Sequence, residues 1–195
     1  LLTELPPPRP EEELDTLTRV VHLGLMVFGV LAWLTGKYAG DYKYARHLGF
    51  SIHRWLGMGL AISLVLRLLY GLLGPANVRF TEWFPHTRER LILAWQDVLT
   101  LLRFQLPERP RHQGLYGLVH AFGLAAFAWM ALTGSLMFFF LPPGRKAGGL
   151  LHIIKEVHEV GWWLIGIFLA LHLSGVLLHV LFRQLNWRRM FFLKD

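Results

Sequence analysis

Residues 158–182 read HEVGWWLIGIFLALHLSGVLLHVLF, a run whose single charged residue is Glu159. At ~1.5 Å rise per residue, about 20 helical residues cross the apolar core of a bilayer, and a backbone in lipid satisfies its own hydrogen bonds as a helix. The stretch 159–182 is therefore read as a membrane-spanning helix. Working outward from it, three more runs of the same kind appear at 115–141, 53–74 and 17–36, the last reading LTRVVHLGLMVFGVLAWLTG. In each, polar residues stand alone among apolar ones. The expected fold is all-α: an integral membrane four-helix bundle over residues 17–182, preceded by a segment 1–16 and followed by a tail 183–195.

Composition agrees with that reading and closes off others. The 195 residues are 54% hydrophobic and 14% aromatic, too apolar for a disordered chain and unusual for a soluble domain of this length. The absence of cysteine excludes a disulfide framework, thiolate-held iron–sulfur clusters, zinc ribbons and thioether attachment of a macrocycle. Any metal must then sit on His, Asp, Glu or Met. Ten histidines in so apolar a chain are the exceptional feature, because ionisable side chains inside lipid are expensive. Pro6-Pro7-Pro8 and Glu11-Glu12-Glu13 precede the first span where a secretory leader carries basic residues, so that span is expected to be retained.

Thirteen of the 20 Lys and Arg residues fall on the side of the two termini and of the 75–114 connection, which places both termini in the cytoplasm. The net charge of +7 then reflects this asymmetry and an anionic lipid surface, with no nucleic acid implied. Within the connection, from Glu89 to Leu106, Leu91, Trp95, Val98, Leu99 and Leu102 share one helical face, and Gln96, Thr100 and Arg103 share another. That pattern predicts an amphipathic helix lying at the membrane surface between the second and third spans.

The histidines fall at two depths. His158 and His172 are 14 residues apart, which at ~100° per residue returns to nearly the same face about 21 Å further along the axis. His53 opens the second span and so shares the outer level with His158. His22 stands 13 residues before Thr35-Gly36 and meets the level of His172. Two pairs result, His53/His158 and His22/His172, each able to clamp a flat macrocycle from opposite helices. The chemistry suited to this is bis-histidine ligation of two non-covalent b-type haems: six-coordinate iron, no open position for oxygen, one-electron transfer. Zinc would gather its ligands at one depth beside carboxylates or cysteines. His120 precedes Thr133-Gly134 by the same 13 residues, a weak internal repeat that duplication or coincidence explains equally well. It shares the depth of His22 and remains an alternative partner for His172. Arg67, 14 residues after His53, either pairs with a haem propionate or a quinone oxygen or snorkels to the surface, whereas Arg54 is placed to meet propionates of the outer haem.

These residues resemble a known family, the bacterial dihaem b-type cytochromes that serve as membrane subunits of nickel-iron hydrogenases, and more distantly those of formate dehydrogenases. The similar elements are Arg19-x-x-His22, His53-Arg54-x-x-Gly57, Arg67-Leu-Leu-Tyr70-Gly71-x-x-Gly74 with Arg79-Phe80, Leu132-Thr133-Gly134, His158-Glu159, His172-x-x-Gly175 and the tail Leu185-Asn186-Trp187-Arg188-Arg189-Met190. The resemblance implies His53 and His158 as ligands of the haem nearer the periplasm and His22 and His172 as ligands of the haem nearer the cytoplasm, with a quinone site beside the second. It also implies a bacterial cytoplasmic membrane. Before the third span the family tends to read Gly-His-Asn-Pro-Leu-Gly, whereas this chain has Arg111-His112-Gln113-Gly114-Leu115-Tyr116-Gly117. His112 fits that pattern, and His120 and His179 are additional; these three, with Arg67, are the candidates for the quinone site.

The function expected is electron transfer between a redox partner at the periplasmic face and membrane quinone near the cytoplasmic face. The partner is a hydrogenase- or dehydrogenase-type subunit or a cytochrome c, because outer loops of about 16 residues leave no room for a catalytic domain. The competing expectation is a free-standing dihaem quinone reductase that oxidises a small species such as superoxide, steered by Lys37, Lys43, Arg46, Arg145 and Lys146.

Overall fold

The computed structural model describes residues 15–40, 48–107, 113–182 and 191. Its long helices are α1 (Thr16–Thr35), α2 (Leu48–Leu73), α5 (Leu115–Phe140) and α6 (Leu150–Leu181), all four long and apolar enough to cross a membrane. Between α2 and α5 run a short α3 (Phe80–Trp83) and a 15-residue α4 (Arg88–Leu102). No strand occurs among the described residues. The all-α four-span bundle expected from the sequence is thus the architecture observed.

Two helices begin earlier than hydropathy suggested. α2 starts at Leu48, so His53 lies inside it, and α6 starts at Leu150, eight residues before His158. In α6 the charged residues Lys155, Glu156 and Glu159 ended the apolar run without ending the helix. The Lys155 ammonium donates to Glu159 one turn further on and to the adjacent Glu156. At 32 residues α6 is roughly 48 Å long, well beyond the apolar thickness of a bilayer, so its first turns extend past it.

The bundle is assembled in the order α1, α2, α5, α6. α2 packs closely on both α1 and α5, and α6 packs on α5. Leu60, Leu64, Ala126, Phe127, Ile165 and Phe168 form the central core. Gly123 lets α5 and α6 approach, since a Cβ there would collide with the Phe168 ring. α1 and α6 keep their backbones further apart and meet through side chains. There the Trp33 and Trp162 indoles stack at 5.2 Å and 17°, each N–H donating to the other's backbone carbonyl, at 2.9 and 3.3 Å.

The ends of the spans are pinned by specific polar contacts. Asp15 caps α1 by accepting from the Thr18 N–H at 2.7 Å, and it also accepts the Tyr70 hydroxyl at 2.8 Å, tying the start of α1 to the end of α2. Burial pushes the Asp15 carboxyl upward, but these hydrogen bonds outweigh it and hold it below the usual carboxylate value. Gly71 opens the space into which the Phe80 ring folds back, which explains the Tyr-Gly-x-x-Gly spacing before Arg79-Phe80.

α4 lies on the outside of the bundle as its periodicity predicted, with Trp95 62% and Leu102 70% exposed along its apolar stripe. The inward residues are Ala94 and Asp97, the latter completely buried. Asp97 Oδ2 accepts from the Leu115 N–H at 2.9 Å and so caps α5 from a different helix, the position before it being Gly114 with φ 70°.

The Gly123 contact gives a direct check. Gly123→Ala should destabilise the purified protein by about 1–3 kcal/mol, read as a lower thermal unfolding midpoint in detergent. Gly148→Ala, where a Cβ meets nothing within 4 Å, should leave the midpoint unchanged.

Candidate functional site

His53 and His158 face each other across the bundle with ring centroids 6.1 Å apart, the planes at 76°. Each ring is oriented through Nδ1. His53 Nδ1 lies 3.0 Å from the Ala32 carbonyl oxygen, and His158 Nδ1 lies 2.8 Å from Thr133 Oγ1. That leaves the Nε2 side for other chemistry, and His158 Nε2 is a buried nitrogen with no hydrogen-bond partner. The two rings open onto a crevice lined also by Arg54, Gly57, Gly134 and Met137. Gly57 has nothing within 4 Å of where a Cβ would be, and a Cβ on Gly134 would crowd His158 Cε1 at 3.2 Å.

About four helical turns separate this level from a second one, His172 following His158 by 14 residues. His22 and His172 have ring centroids 6.4 Å apart at 48°, and His22 Nδ1 is buried without a hydrogen-bond partner. Phe168 stacks on His172 from the core side at 5.4 Å and 28°, and Phe191 meets His22 edge-on at 6.3 Å. The bundle therefore brings together both histidine pairs expected from depth counting. His120 also reaches this level, its ring 5.4 Å from His172 at 89°, with Nδ1 2.6 Å from the Tyr116 carbonyl oxygen.

The arginines do different things. Arg54 donates from Nη2 to the Phe138 carbonyl oxygen at 2.8 Å and lies 4.3 Å over the Phe138 ring, at the rim of the outer crevice. Arg67 is held over the rings of Phe80 at 5.1 Å and Trp83 at 5.7 Å, and its Nη1 is buried with no hydrogen-bond partner. Trp83 in turn meets the His120 ring edge-on at 6.3 Å. Arg67, Trp83, His120 and His172 thus form one continuous patch. His179 joins it indirectly, packed at 5.1 Å on the Tyr116 ring. His112 lies outside the described residues.

Sequence reasoning passed over the aromatic cage of Arg67, the Trp33–Trp162 bridge, Asp97 and the two threonines on the outer histidines. Only the threonines carried a signal in advance, the shared 13-residue spacing from His22 and from His120.

The donor set fits a b-type haem at each level. Two imidazoles binding one metal through nitrogens about 2 Å from it hold their centroids roughly 6 Å apart, which both pairs match. With Nδ1–H directed to oxygen acceptors, the outer rings keep Nε2 as the lone-pair nitrogen, the tautomer a metal requires. Among the described residues no three His, Asp or Glu side chains converge to hold a bare ion. Neither a curated protein nor a solved structure matches the chain. The family model for prokaryotic cytochrome b561 does match, over residues 13–193, taking in all four spanning helices and both histidine pairs; the chain belongs to that family of multi-pass membrane proteins that bind b-type haem and transfer electrons across the membrane.

Proposed function

We propose that the protein transfers electrons between a redox partner on the outer face and membrane quinone at the inner face, through two haems held by His53/His158 and His22/His172. The observation that carries this reading is the presence of two facing histidine pairs in one bundle, at the two ends of a packed aromatic core built on Phe127 and Phe168. Bound there, b-type haems supply one-electron carriers at two depths, and two successive transfers complete one quinone/quinol conversion. The termini and the α2–α5 connection carry most of the basic residues, which supports an inner position for the His22/His172 level. The outer partner is a hydrogenase- or dehydrogenase-type subunit or a cytochrome c, since the described residues include no catalytic constellation for another substrate.

At the inner level the chain's own residues supply what a quinone needs. Arg67, desolvated on its aromatic cage and with Nη1 unpaired, is the donor for a quinone oxygen. His120 stands beside it through Trp83, in reach of the same headgroup. His179, in the last turn of α6, and His112, which precedes α5 in the sequence, are the candidates for exchanging protons with the cytoplasm, so that quinone chemistry would draw on one side of the membrane. The exposed apolar stripe of α4, next to this patch, lies where a lipid-soluble substrate would approach.

A reduced-minus-oxidised absorption spectrum with haem quantitation should give two b-type haems per chain. His158→Ala and His172→Ala should each remove one. His22→Ala should remove the inner haem and His120→Ala should keep both; the reverse result would transfer the ligand role to His120, and a chain without haem would end the proposal. Arg67→Gln should retain both haems yet slow quinol-dependent turnover by about ten- to a hundredfold, the cost of losing one charged hydrogen bond. Undiminished turnover in that variant would mean that Arg67 only snorkels. Full quinone reduction by the isolated chain from a small donor, with no partner subunit, would overturn the partner-dependent reading.

A further inference from the structure

Thr133 Oγ1 lies 2.7 Å from the Trp129 carbonyl oxygen and 2.8 Å from His158 Nδ1. A hydroxyl has one proton, and a carbonyl has none to offer. The proton of Thr133 is therefore committed to Trp129, and the second bond runs the other way: His158 Nδ1–H donates, Thr133 Oγ1 accepts. This assigns the His158 tautomer and leaves Nε2 as the lone-pair nitrogen, the same buried atom that has no partner within the protein.

The first half of the chain repeats the arrangement with one difference. Thr35 follows His22 at the spacing with which Thr133 follows His120, and its hydroxyl is likewise committed to a carbonyl one turn back, Leu31 O at 2.7 Å. It stands 3.5 Å from His53 Nδ1, but His53 has a nearer acceptor, the Ala32 carbonyl oxygen at 3.0 Å. Of the two rings at the outer level, one is oriented by a backbone carbonyl, which no side-chain substitution removes, and the other by a side-chain hydroxyl.

We propose that Thr133 is a positioning residue that sets the donor strength of the His158 imidazole and, through it, the reduction potential of the haem held by His53 and His158. An acceptor on Nδ1–H makes an imidazole a more basic ligand, which favours the oxidised metal. Because the Thr133 hydroxyl already donates elsewhere, it is polarised to accept more strongly. The threonine thus lowers the potential of the outer level while a buried backbone carbonyl holds the opposite ring constant.

The inference rests on the reading of His53 and His158 as ligands, and a redox titration of the purified full chain followed by absorbance tests both separately. Thr133→Val should keep two haems and shift one midpoint potential upward by up to about tenfold in the reduction equilibrium, about 59 mV for one electron, leaving the other in place. Thr133→Ser, which keeps the hydroxyl, should restore the original value. Thr133→Cys, similar in size with a weaker acceptor, should shift in the same direction by less, and it carries the test should the valine variant not load. Thr35→Val should leave both potentials unchanged because Ala32 remains the acceptor for His53. Equal shifts in Thr35→Val and Thr133→Val, or unmoved potentials in a fully loaded Thr133→Val, would overturn the assignment. If His158→Ala keeps both haems the ligand reading itself fails; if it loses one while Thr133→Val shifts nothing, only this inference does.

Discussion

A buried imidazole must direct its N–H to an acceptor, and in a membrane bundle the acceptors within reach are few: carbonyls at the ends of turns and hydroxyls on neighbouring helices. That constraint organises this molecule. At the outer level the Nδ1 atoms of His53 and His158 are taken up by Ala32 and Thr133, on α1 and α5 respectively, so each ring is aimed by a helix other than its own. The close packing of α2 on α1 and of α6 on α5 is what delivers those acceptors. Helical geometry then carries the arrangement inward, since 14 residues return to nearly the same face about 21 Å along the axis. The second level needs no separate design beyond a histidine at that offset.

The offset occurs twice, and its two uses differ. From His158 it reaches His172, a second histidine; from His53 it reaches Arg67. Together with the matching spacings from His22 to Thr35 and from His120 to Thr133, this makes α1–α2 and α5–α6 two versions of one helix pair. Both threonines stand against an outer histidine of the same pair, so the repeat noticed in the sequence has a structural meaning. The halves diverge at the inner level, where both His22 and His120 meet the His172 ring and His120 alone also reaches Arg67, across Trp83. The inner level thus holds a facing histidine pair, His22 with His172, and next to it a caged cation and a third histidine, Arg67 and His120, an arrangement suited to a polar headgroup.

What could be read in advance follows the range of the interactions involved. Four spans, the surface helix and the relative levels of His22, His53, His158 and His172 depend on periodicity along a single helix, and those were legible. Helix ends were less so: Lys155, Glu156 and Glu159 interrupt the hydropathy but are joined through the Lys155 ammonium, so α6 begins nine residues before the span read from the sequence. Beyond the two histidine pairs, contacts between helices were not legible, because they depend on packing angle. Arg67 offered either pairing or snorkelling on paper, and only the fold-back of the loop after α2, admitted by Gly71, brings Phe80 and Trp83 under its guanidinium. Asp97 sits in the polar part of an amphipathic pattern and gave no hint that it is fully buried as the cap of another helix.

The same reasoning bears on α1 and α6, which do not pack closely backbone to backbone. α6 carries one histidine of each pair, facing His22 of α1 at the inner level and His53 of α2 at the outer one, and a flat macrocycle between opposing histidines requires those helices to stand apart. Separation leaves little to hold α1 and α6 in register. Trp33 and Trp162 supply this with large rings that span the distance and with two indole N–H groups satisfied on the opposite helix, a bridge that needs no close backbone approach. The bridge lies at the outer level, beside His53 and His158, where α1 lends the Ala32 carbonyl to one ring and α6 carries the other. Holding α1 to α6 there also holds the acceptor of one histidine at a fixed distance from its opposite, so the spacing of the pair depends on the tryptophans as much as on the helices that bear it.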